Sequence, residues 1–115
     1  MFQAVTGALP RPAAQTLNRL ASELEWQESE VEGFHIAPLY EDAASHQRTW
    51  LMRIDPGAFA AQHSHTEQEQ IYVLEGQFSD GINDYAAGDF AVRAAGQAHT
   101  AYSEHGALVL LVYSK

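Results

Sequence analysis

From Trp26 onward the chain is cut into short β-forming runs by closely spaced turn residues, and no helical period intervenes. Residues 33–39, 49–54, 70–74, 77–79, 90–92, 99–102 and 108–113 are rich in Val, Ile, Leu, Phe, Tyr and Trp. Between them stand Asp55-Pro56-Gly57, Gly81-Ile82-Asn83-Asp84, Gly88-Asp89 and Glu104-His105-Gly106, residues that favour turns. Short strands at this spacing, without crossover helices, predict an all-β antiparallel sandwich or barrel. One segment departs from the pattern. Behind Pro12, Leu17, Leu20, Ala21 and Leu24 recur at helical spacing, which predicts a short amphipathic helix over residues 12–24. The expected organisation is an N-terminal helical arm over 1–25 and a single β domain over 26–115.

Composition removes several function classes. At 115 residues there is room for one core and not for two. The 15 acidic residues outweigh 6 basic ones, and Arg11, Arg19, Arg48, Arg53, Arg93 and Lys115 are scattered, so no nucleic-acid partner is expected. Cysteine is absent, which excludes disulfides, thiolate metal ligands and a cysteine nucleophile, and leaves histidine and carboxylate to bind metal. No apolar run approaches the length of a membrane span, so no membrane partner is expected. The opening MFQAVTGALPRP lacks a basic region followed by an apolar block, so the expectation is a cytoplasmic protein.

The stretch from Gly57 to Gly76 carries the chemistry. Alternate residues of a strand share a face, so His63 and His65 project together in extended chain. Glu69 shares their parity and opens the next apolar run, and a turn near residues 66–68 would return its carboxylate toward them. A fourth ligand is expected from His99, which the turn Ala95-Gly96-Gln97-Ala98 delivers to the start of another strand. Three imidazoles and one carboxylate suit zinc, iron, manganese, nickel or copper. An octahedral ion on four such donors keeps two open positions, whereas tetrahedral zinc keeps none.

These residues resemble the cupin family. Gly57, five residues, His63-Ser64-His65, three residues, Glu69, six residues and Gly76 reproduce the first cupin motif without a gap. Gly88, Gly96 and His99 are similar to the second motif, with Ala94 and Ser103 standing where the family usually has Pro and Asn. The resemblance implies a double-stranded β-helix, the cupin jelly-roll barrel, with a divalent transition metal inside on His63, His65, Glu69 and His99. Within cupins the chain resembles the ChrR type, the barrel half of a zinc-dependent anti-sigma factor. The similar runs are Leu39-Tyr40-Glu41-Asp42, Val73-Leu74-Glu75-Gly76, Phe78-Ser79-Asp80, Asp84-Tyr85, Ala87-Gly88, Ser103-Glu104 and Gly106. The anti-sigma half of that family binds zinc with His and Cys. Residues 1–25 hold neither, so a sigma-factor partner is not supported.

Three functions follow as expectations. Stand-alone barrels of this type resemble dioxygenases that cleave diketones or aryl ketones, which implies a metal-dependent dioxygenase on a small keto or diketone-type substrate, with Glu69 as the catalytic base. The anti-sigma likeness implies a non-enzymatic sensor or regulatory module. A small barrel also suits a purely structural zinc site. Phe59, Met52, Ile71, Val73 and Tyr102 are the expected pocket residues, although aromatic and apolar strand residues also serve as plain core. Arg93 is expected in a surface salt bridge, with binding of an anionic substrate as its other reading. Edge strands that need covering predict a homodimer.

Overall fold

The structure, a computed structural model, describes residue 2 and residues 16–115. Its elements in chain order are a 3-10 turn at Ala21–Glu23 and the strands β1 Gln27–Glu28, β2 Phe34–Asp42, β3 Gln47–Ile54, β4 Phe59–His63, β5 Gln68–Ser79, β6 Asp84–Ala86, β7 Phe90–Arg93, β8 His99–Tyr102 and β9 Ala107–Ser114. The strands form one curled antiparallel sheet in the order β1-β2-β3-β9-β5-β8-β4, and β6 and β7 also pair with β5. The fold is all-β, a cupin-type jelly roll. Within the described part of the expected helix, residues 16–24, the chain makes only the 3-10 turn; residues 12–15 lie outside the described residues. Leu17 and Leu20 are exposed and Leu24 is only half-buried, so among the described residues little apolar burial rewards helix formation here.

Strict alternation builds the core. Ala107, Val109, Leu111 and Tyr113 on β9, and Trp50, Met52 and Ile54 on β3, are buried, while the residues between them are more exposed. Strand β5 is one element where two short runs were expected. Glu69, Ile71 and Val73 face inward, the register against β9 shifts between Val73 and Glu75, and the inward position then falls on Phe78. One extra residue flips the parity and bends the strand, which lets β5 serve both sides of the barrel. Its first half pairs with β7 and β9, and its last residues pair with β6 and β8.

Candidate metal centre

His63 ends β4, and His65 lies in the loop that follows it. A second register shift matters here. Phe59 pairs with Tyr102 and Ala60 with Ala101, but His63 pairs with His99, so β4 uses three residues where β8 uses two. The shift turns His63 inward although Ala60, of opposite parity, is the inward residue before it. It also brings His63 and His99 face to face across a strand pair. The turn before β8 is tied to the same place, because the Gly96 N–H donates to the His65 carbonyl at 2.7 Å.

The three histidines converge. One ligand atom from each of His63, His65 and His99 lies within 4.8 Å of the others. Glu69 enters from β5, with Oε2 3.6 Å from His65 Nε2 and Oε1 3.8 Å from His99 Nε2. Neighbouring carbonyls set the tautomers. His63 Nδ1 is 2.7 Å from the Ala61 carbonyl and His99 Nδ1 is 3.1 Å from that of Gln97, so Nδ1 carries the proton and Nε2 presents its lone pair. Burial pushes the His65 pKa from 6.5 down to about 4, with His63, His99 and Arg48 adding to the effect against the pull of Glu69. Burial lowers His99 as well, against its Gln97 bond and Glu69. Neutral imidazoles are the form that binds metal.

The fit to a cation rests on an orphan. His65 Nε2 is buried and has no hydrogen-bond partner among the described residues, a state that is costly for a polar atom unless something else meets it. A divalent ion between the imidazoles and Glu69 meets that need.

Arg93 is not on the surface. It is 5% exposed, and its Nε donates to Glu69 Oε1 at 3.1 Å while Nη1 donates to Asp80 Oδ2 at 3.1 Å. The sheet places it there by register, since Arg93 pairs with Glu69 across β7 and β5. Asp80 also accepts from the Ile82 and Asn83 N–H groups and the Tyr85 hydroxyl. The expected surface salt bridge is therefore corrected to a buried network behind the carboxylate of Glu69.

Of the expected pocket residues, Met52 and Ile71 line the cavity beside the histidines, and Val73 is buried in the core outside that lining. Phe59 and Tyr102 are 56% and 39% exposed; they pair with one another and point outward, because the inward positions of β4 and β8 fall on Ala60 and Ala101. The cavity is small, about 30 Å³, room for one or two waters. Sequence reasoning missed more than half of its residues, and two of them are instructive. Tyr113 shares the inward parity of Val109 and Leu111, a signal that was available. Phe2, whose ring stands edge-on to His63 with centroids 5.3 Å apart, carried no local signal at all.

Comparisons with known proteins agree with this geometry. The chain resembles an RmlC-like cupin from Shewanella frigidimarina at 22% identity and TM-score 0.75, covering 87% of this chain and 91% of that one. It resembles a chain of the Rhodobacter sphaeroides SigE–anti-sigma ChrR complex at 23% identity and TM-score 0.70; 84% of this chain is covered, but only 52% of that chain. An acetylacetone dioxygenase from Acinetobacter johnsonii is similar at 10% identity and TM-score 0.75, covering 96% of this chain and 80% of that one. At these identities the likeness establishes the fold. No curated protein matches the sequence. The profile of the ChrR cupin-like domain matches residues 15–115, and with the barrel and its histidine cluster in place, the chain belongs to the ChrR cupin-like family.

Proposed function

We propose that this chain holds one divalent transition metal on His63, His65, His99 and Glu69 and acts as a dioxygenase on a small keto or diketone-type substrate. The observation that carries the reading is the buried, unpartnered Nε2 of His65 within a three-histidine cluster that Glu69 joins. Zinc, iron, manganese and nickel all suit these donors. When bound, such an ion supplies a Lewis acid for a substrate's carbonyl oxygens. The chain's own residues do the rest. Arg93 Nε holds Glu69 Oε1, which leaves Oε2 to accept a proton from the carbon between two carbonyls. Met52, Ile54, Ile71 and Leu111 give the cavity an apolar wall that excludes bulk water, and at about 30 Å³ it admits a diketone only when a lining side chain such as Phe2 moves aside. The fold it shares with an acetylacetone dioxygenase supports the same reading.

The test is elemental analysis of the purified protein, then oxygen uptake by the iron-loaded form with acetylacetone and related diketones. Uptake by the wild type and its loss in Glu69→Gln are expected. Phe2→Ala should extend activity to bulkier diketones. An iron-loaded protein that consumes no oxygen across such a panel would remove the enzymatic reading.

The match to the ChrR cupin-like domain favours a second reading, a metal-binding sensor or regulatory module that binds a small molecule without turnover. Ligand binding by the loaded protein with no product formed would support it. A structural zinc site alone would be indicated by a large loss of thermal stability on chelation with neither binding nor turnover. We also propose a homodimer. Tyr72, Leu74, Phe90 and Val92 form an exposed apolar patch on adjacent strands, β5 and β7, of the kind that a second copy covers. Sedimentation should give twice the chain mass, and Phe90→Glu should give a monomer; a wild-type monomer would end the idea.

A further inference from the structure

Arg48 stands where a core residue is expected. Its parity on β3 is that of Trp50, Met52 and Ile54, which are buried, and its own side chain is 14% exposed. Register sets its neighbours. Arg48 pairs with Tyr113 across β3 and β9, and its guanidinium carbon lies 4.2 Å from the Tyr113 ring centroid and 4.8 Å from that of Trp50. Those two rings are fixed in turn, edge to face at 5.5 Å, with Trp50 Nε1 donating to Glu41 Oε2 at 2.6 Å. The same guanidinium also reaches the other way. Its Nη2 lies 3.4 Å from Glu67 Oε2, in the loop that joins β4 to β5. A charge this deep is costly unless it is paired. A guanidinium held on two ring faces and a carboxylate makes a rigid link between the β3–β9 side of the barrel and that loop.

The loop carries His65, two residues before Glu67. His65 differs from the other two histidines. Carbonyls of Ala61 and Gln97 orient the rings of His63 and His99, but no such bond holds the His65 ring among the described residues. The Gly96 N–H fixes the His65 backbone and does not set the ring's torsions. Metal-binding imidazoles are ordinarily aimed by a partner on the second nitrogen, so this ring is aimed by packing instead. Tyr113 supplies it, edge-on at 68° with centroids 5.1 Å apart. We infer that Arg48 is a positioning residue for His65, acting through two contacts: the Glu67 tether that holds the loop and the Tyr113 ring on which the guanidinium lies. The consequence for metal affinity rests on the metal reading above, whereas the orientation of the ring does not.

Arg48→Met keeps most of the side-chain volume and removes the guanidinium, while Arg48→Lys keeps a charge for Glu67 and loses the flat stack on Tyr113. In the metal-free protein, NMR follows the ring protons of each histidine, with the Tyr113 ring current reporting on His65. Arg48→Met should shift the His65 ring signals and leave those of His35 and His105 in place. Glu67→Gln, the milder change, should move the same His65 signals even if Arg48→Met does not fold. Ile36→Val, a core change on β2, is the control for destabilisation alone and should leave His65 unmoved. Zinc affinity is then measured by competition with a chromogenic chelator. Arg48→Met should weaken it roughly tenfold, as loss of an outer partner of a ligand does. Arg48→Lys should fall between that variant and wild type, and Arg48→Met combined with Glu67→Gln should lose no more than Arg48→Met alone. His65 signals that match wild type in both variants, or an affinity loss equalled by Ile36→Val, would overturn the inference. A wild type that takes up no zinc would remove the metal reading and leave the ring signals to decide this one.

Discussion

Asp80 is the most heavily bonded side chain in the neighbourhood of the centre. Its Oδ1 accepts the N–H groups of Asn83 at 2.8 Å and Ile82 at 2.9 Å, and its Oδ2 accepts the Tyr85 hydroxyl at 3.0 Å and Arg93 at 3.1 Å. Burial pushes its pKa up, yet these four bonds together outweigh burial and hold it below 3.8. A carboxyl whose folded pKa lies below its unfolded value contributes stability that is present above the unfolded value and is lost as pH falls through the folded one. Urea melts of the wild type should therefore weaken below about pH 4. Asp80→Asn breaks the buried pair with Arg93, and we expect it to lose about 3 kcal/mol at neutral pH. The difference between variant and wild type should shrink on acidification; a gap that stays constant from pH 7 to pH 3 would contradict the account. Asp80 stands in the Phe78-Ser79-Asp80 run that resembles the ChrR type, so its presence was visible in the sequence. Its bond to Arg93 was not, because nothing local says that two residues 13 apart share a buried pair.

At the scale of elements, β5 carries the design. It reaches both sides of the barrel by bending beside Gly76, which has φ +77°, and a Cβ there would land on the Gly106 carbonyl oxygen and within 2.9 Å of the Ala107 Cα. Gly57, the other glycine that frames the first motif, has φ +82° but open space around it. The two glycines should separate in experiment. Gly57→Ala meets only left-handed strain, about 1–2 kcal/mol, while Gly76→Ala adds a backbone collision and should lose several kcal/mol or fail to fold. Thermal melts of both variants check this, and equal losses would show that the close approach of β5 to the loop before β9 is unimportant. Both glycines were legible as motif positions, and so was the shared parity of Glu69, Ile71 and Val73. The two register shifts were not, and they moved Phe59 outward and put Phe78 in the core. A bulge is a compromise between a strand and its partner, so it has no signature in one strand's own residues.

For the whole molecule, a metal held as proposed and the barrel should stabilise one another, since the proposed donors come from β4 and its following loop, from β5 and from β8, and meet only when the sheet closes. Metal at a hundred times its dissociation constant contributes about 2.7 kcal/mol. For a domain near this size that corresponds to a rise of roughly 10 °C in Tm. Scanning calorimetry with and without a chelator measures it, and identical melts would mean that no metal binds the folded state. Turn spacing, strand composition and the two glycine-framed histidine stretches were enough to name the fold and to pick out His63, His65, Glu69 and His99 as side chains that lie close together in it, because those depend on the local order of residues. What the chain's linear order left open was settled by closure. The long-range register that buries Arg93 against Glu69 and Asp80, the cavity that Tyr113 lines and the seat of Phe2 on His63 join residues far apart in sequence, and such contacts exist only once the sheet has curled.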